Sequence, residues 1–362
     1  MASISKQSLR ALKYLTIAGV IAGGVKIAVL VAPSTPDSSP YLHFEGYVVL
    51  PREKILNVMD YLTWSDDGLY IANTASGSVV KLVLERNEAA KTRELSVIAG
   101  QSGAHGIALV PSRNQGFISR SGSNTVDVVD LGSLRVIEQI PVAEDADAIL
   151  FDPHSDLVYL ANGDAGLATV IDPDREAVID TIPLGGAPEF AVLDDEADLI
   201  YQNIKDQNAL VAVDPKKREV VGRWPLDGCA GPTGLALDPR GRRLFVNCGG
   251  NAALVVFDME RHRVIATLPI GPHADSVAFD PTYHRLYSAS KTGELTVIQQ
   301  ETPDRYRVLD SIATHYGAHT LTLDPATHRI YLAYASLLVA PRVAVFSPEK
   351  PEEDSAVGGV GK

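Results

Sequence analysis

Acids and imidazoles return in one register along this chain. Asp60, His105, Asp147, Glu189, Asp275 and His319 follow one another at intervals of 42 to 45 residues, with Thr233 taking the remaining place. Each stands just before a short apolar run. Imidazole with carboxylate can hold a divalent metal, and either group can take or give a proton. His105, His319 and Asp60 are the expected metal ligands. His105, with Glu189 or Asp147, is the expected acid–base candidate. A second set, Asn73, Arg120, Asn162, Asn203 and Asn247, ends the apolar run that follows and belongs to the same face. Together the two sets define a candidate ligand-binding ring. Arg120 stands where other copies have Asn; it could hold a ligand carboxylate or neutralise Asp147. A plainer reading stays open beside these: polar residues at such junctions are ordinary wherever the mouth of a channel is wet.

Familiar catalytic signatures are absent. The chain has no phosphate loop, dinucleotide fingerprint, nucleophile elbow, His-Glu-x-x-His or Cys-x-x-Cys-His. A net charge of −13 argues against nucleic acid as a partner. The two cysteines, Cys229 and Cys248, are too few for a disulfide scaffold. They fall in two loops of one repeat on the candidate face, so a disulfide there is open, as are free thiols.

The elements that must carry the ring follow from self-similarity. An aromatic opens the second apolar segment of every copy: Tyr70, Phe117, Tyr159, Tyr201, Phe245, Tyr287 and Tyr331, 42 to 47 residues apart. Each copy breaks into four segments dense in Val, Ile and Thr. Asp-Pro turns (Asp152-Pro153, Asp238-Pro239, Asp280-Pro281, Asp324-Pro325) separate the first two segments. Four strands per repeat, seven times over, predict an all-β, seven-bladed β-propeller. The last copy runs out of apolar pattern after 342–346. The unpartnered segment Phe44–Leu50 is expected to supply its outer strand, so that an N-terminal strand closes the last blade.

Tyr70-Ile71-Ala72-Asn73, Tyr159-Leu160-Ala161-Asn162 and Phe245-Val246-Asn247 resemble the Tyr-Val-Thr-Asn signature. Asn124 to Asp130 and Val264 to Gly271 resemble the strands that follow it. Over about 57 to 348 the chain is similar to the YVTN-type seven-bladed propellers, including YncE-like secreted proteins. The resemblance implies an extracytoplasmic propeller and leaves the activity undefined.

The expected domains are a signal peptide or membrane anchor at 1–34, a linker at 35–42, the propeller at 43–348 and a disordered tail at 349–362. Lys6, Arg10 and Lys13 precede the apolar run Tyr14 to Val25, as in a secretory signal; Tyr14 to Ala32 is also nearly long enough for a retained anchor. Either reading puts the propeller in the periplasm or outside the cell. Three functions fit: a monomeric binding propeller taking a small molecule or protein at the channel mouth, a lactonase- or lyase-like enzyme using a divalent metal, and a propeller subunit of a periplasmic oxidoreductase.

Overall fold

The computed structural model describes residues 16–20, 26–30, 35–52, 54, 57–86, 88–335 and 340–349. Seven four-stranded antiparallel sheets are arranged as blades, each running from an inner first strand to an outer fourth. The only helical turns among the described residues are two short 3-10 segments, Pro111–Arg113 and Lys205–Gln207. Blade 1 begins with strand Met59–Ser65, blade 2 with Ala104–Val110, blade 3 with Ala146–Asp152 and blade 4 with Pro188–Asp194. Blade 5 begins with Pro232–Asp238, blade 6 with Ala274–Asp280 and blade 7 with Thr320–Leu323.

The repeat aromatics are buried in every blade and form the cores between neighbours. Phe117, Val126 and Val128 of blade 2, for example, cluster with Val158 and Leu160 of blade 3. Trp64 stacks on Tyr331 across the seam between blades 1 and 7, at 5.2 Å between ring centroids. The Asp of each Asp-Pro turn is buried and accepts backbone N–H groups that the turn would otherwise orphan. Asp280 takes those of Thr282 and Tyr283, and Asp152 takes those of His154 and Ser155.

The ring closes as the repeat count required. Strand Leu42–Val49 is the outer strand of blade 7, beside Arg342–Pro348, with Phe44 opposite Phe346 and Val48 opposite Val343. The Tyr47 hydroxyl of this strand shares a hydrogen bond with Nε2 of the buried His315, which is stacked on Tyr334. The expected linker ends one residue early, and Asp37 N–H already donates to Ala313 O of blade 6.

Of the expected signal or anchor, only Thr16–Val20 and Lys26–Leu30 are described. They pair as a separate antiparallel hairpin. Residues 1–15, 21–25, 31–34 and the tail from 350 lie outside the described residues. Among the described residues, no helix is long and apolar enough to cross a membrane.

Candidate functional site

The first strand of each of blades 1 to 6 starts with an irregular step in its pairing. In blade 3, Ala146 faces Asn162 and Ile149 faces Leu160, so Asp147 and Ala148 together oppose Ala161. The same two-against-one step holds Asp60-Tyr61, His105-Gly106, Glu189-Phe190, Thr233-Gly234 and Asp275-Ser276. A bulge of this kind re-aims side chains at the edge of a sheet. It accounts for why one residue per blade leaves the strand alternation and faces the mouth. The mouth is a cavity of about 480 Å³ lined by Asp60, His105, Asp147, Glu189, Asp275 and His319, with Lys205, Lys291 and His273 added from the surrounding loops.

The residue after each ring position builds the floor. In blade order these are Tyr61, Gly106, Ala148, Phe190, Gly234, Ser276 and Thr320. Two aromatics from blades 1 and 4 meet across the axis, 5.1 Å between ring centroids. Five small neighbours leave room for them. A Cβ on Gly106 would come within 3.3 Å of the Tyr61 ring, and one on Gly234 would strike the Asp275 carbonyl at 2.2 Å. Smaller chambers lie beneath, one of about 100 Å³ between blades 1 and 4.

Within the mouth the charges are already partnered. His105 Nδ1 stands 2.6 Å from Asp60 Oδ2 and 3.3 Å from Asp147 Oδ1; its Nε2 stands 2.7 Å from Ser121 Oγ. Burial would lower the imidazole pKa, but the hydrogen bond and charge of Asp60, with Asp147 and Asp145, outweigh it and hold it at about 9. Burial is also the main force raising Asp147 well above the carboxylate range, followed by repulsion from Asp60. Lys205 caps Glu189, whose carboxyl is nonetheless raised by its burial. Asp275 is flanked by Lys291 at 3.2 Å and His319 Nδ1 at 3.1 Å. Burial opposes its charge, but these two neighbours prevail and hold it low.

Ser121, His105 and Asp60 have the connectivity of a serine–histidine–aspartate triad. The resemblance stops at charge. An imidazole held protonated near neutral pH cannot take the serine proton, and the hydrogen bond and charge of Asp60 are the chief cause, with Asp147 adding to them. Sequence reasoning missed Ser121, because a serine in a Ser-Gly-Ser-Asn turn carries no signal of its own. Its position is fixed by the backbone: Ser121 N–H donates to Gly103 O, and a Cβ on Gly103 (φ +75°) would lie 2.6 Å from Gly122 N.

Several ring candidates are placed otherwise than expected. His319 sits against Asp275, whereas the groups whose ligand atoms lie within 4.8 Å of one another are Asp60, His105 and Asp147. Arg120 neither faces an open ligand space nor neutralises Asp147; it pairs with buried Asp127 at 2.7 Å. The asparagines point into the protein. Asn73, Asn162, Asn203 and Asn247 are buried and hold loops and seams. Asn162 donates to Ala143 O, Asn203 to Thr233 O of the next blade, and Asn247 to Ser276 O of the blade beyond. Thr233 is likewise a staple, donating to Ala274 O. Away from the mouth, His328 is half-buried, with Nδ1 3.0 Å from buried Asp280. Cys229 and Cys248 are joined in a disulfide, Cα atoms 5.2 Å apart, beside the glycines that form one side of the mouth.

Fold and site together define a seven-bladed β-propeller with a charged mouth. A solved structure of hydrazine synthase from Kuenenia stuttgartiensis is similar to this chain, with a TM-score of 0.66 and 18% identity. The match covers 76% of this chain and 92% of that one, and at such identity it speaks for the fold alone. No family model matches the chain, and no curated protein matches it.

Proposed function

We propose that this protein is an extracytoplasmic binding propeller that takes a small polar ligand at the channel mouth and does not itself catalyse a reaction. The observation that carries the reading is the mouth: acids and bases from six blades converge on one cavity of about 480 Å³ floored by Tyr61 and Phe190. That volume suits a small molecule. The absence of catalysis is inferred from the pairing of the groups a reaction would use: His105 is held charged, and Lys205 engages Glu189. Location outside the cytoplasm is supported by the basic and apolar N-terminal stretch and by the Cys229–Cys248 disulfide. The similarity of the repeats to YVTN-type propellers points the same way.

The test is a thermal-shift and calorimetric screen of small charged and zwitterionic compounds against the full chain. A stoichiometric ligand should bind at least tenfold more weakly to Asp275→Asn and Lys291→Met. Binding that ignores both variants, or turnover of the bound compound, overturns the reading.

A further inference from the structure

Blades 1, 2 and 3 each place one ligand atom at the same point of the mouth. We infer that Asp60, His105 and Asp147 form an open divalent-cation site, taking a borderline metal of the zinc class. This goes beyond ligand binding and stands on the three side chains themselves.

Distance is the first argument. Two ligands held about 2.1 Å from zinc at a tetrahedral angle lie roughly 3.4 Å apart. His105 Nδ1 and Asp147 Oδ1 are already 3.3 Å apart. The Nδ1–Asp60 Oδ2 separation of 2.6 Å needs to widen by less than about 1 Å, which a carboxylate rotation supplies.

Orientation is the second. A metal-bound imidazole donates its other N–H to an oxygen that fixes the ring, and Ser121 Oγ stands 2.7 Å from His105 Nε2. Charge is the third. A metal ion on His105 Nδ1 displaces the proton that the imidazole carries in the metal-free site and releases it to solvent; two carboxylates with the imidazole then neutral give a net charge of −2, the complement of a divalent ion. One nitrogen and two oxygen donors favour zinc over calcium, which prefers oxygen alone. The site opens on the cavity, so coordination positions remain for water or an anionic ligand. The opposite side of the mouth is unsuited to a second ion, because Lys291 already lies 3.2 Å from Asp275.

The test uses the full chain, stripped with chelator and titrated with zinc chloride alone by calorimetry, with elemental analysis after dialysis. One zinc per chain is expected, with His105→Ala and Asp147→Asn each weakening it tenfold or more. His154→Ala serves as the control, since His154 lies within 3.5 Å of Asp195 and Asp198 on the surface and is the natural rival site. Circular-dichroism melts establish folding; if His105→Ala does not fold, the near-isosteric Asp147→Asn decides. Failure to bind zinc, or binding lost with His154→Ala and kept with Asp147→Asn, overturns the site. Zinc binding can fail while organic ligands still bind, so this result and the binding reading stand or fall separately.

Discussion

Arg120 and Asp127 illustrate how charge is handled at the level of single residues. Asp127 is 1% exposed, and its partners are Arg120, Gln139 and Thr125. Removing the arginine leaves a buried carboxylate without its counter-charge, which costs about 3 kcal/mol. Arg120→Ala should therefore lower the denaturant midpoint by that equivalent, while affinity for any mouth ligand stays within twofold. An unchanged midpoint, or a large loss of affinity, would return Arg120 to the binding site. Asn247 makes the same distinction on a smaller scale. Its side chain joins blade 5 to blade 6, and Asn247→Ala should cost about 1–2 kcal/mol of stability, again without touching affinity.

Elements behave less independently. The closing strand is held to the last blade by backbone pairing and by the Tyr47–His315 contact, with Arg342 lying over the Tyr47 ring at 4.9 Å. Burial, then Arg342, pushes the His315 pKa down to about 4. In the unfolded chain the imidazole takes its proton near pH 6.5. The unfolded state thus binds the proton first, and stability contributed here falls as pH drops from about 6.5 towards 4, by about 3 kcal/mol in all. Urea midpoints at pH 7 and pH 4.5 should differ less in His315→Phe than in the parent, and an equal acid sensitivity in both would refute the assignment. The disulfide braces the other side of the ring. Its 19-residue separation corresponds to about 3 kcal/mol of stabilisation, so Cys229→Ser with Cys248→Ser should melt several degrees lower.

What was legible in the sequence has a physical pattern. Blade number, the Asp-Pro turns and the closing strand were all readable, because each depends on residue types recurring at one period. The ring register was readable for the same reason. The bulge beneath it was not, since two residues opposing one is a property of pairing between strands. Nor was the fate of the asparagines: a polar residue at a strand end reads as exposed until the loop that folds over it is known. The partner of Arg120 was within reach, since Asp127 lies diagonally across from it once Arg120 is set opposite Thr125. The aromatic floor was also in plain view, as two rings among five small residues at one repeat position.

At the scale of the whole molecule, the first and last strands of the propeller meet in one blade, and the ring leaves no inner seam open. Deleting residues 35–50 strips blade 7 of its outer strand and exposes the backbone edge of Arg342–Pro348. Such an edge is a template for pairing with another chain. Size-exclusion chromatography of that deletion should show dimers and larger species where the parent gives one peak, and a monomeric deletion would show that closure is dispensable.

The Tyr61–Phe190 pair has a consequence for orientation. Two rings from opposite blades narrow the axis just below the charged ring. A small molecule seated there would meet apolar faces beneath it and charge around its rim. Its charged and apolar groups would then be sorted to opposite ends before any single contact is made.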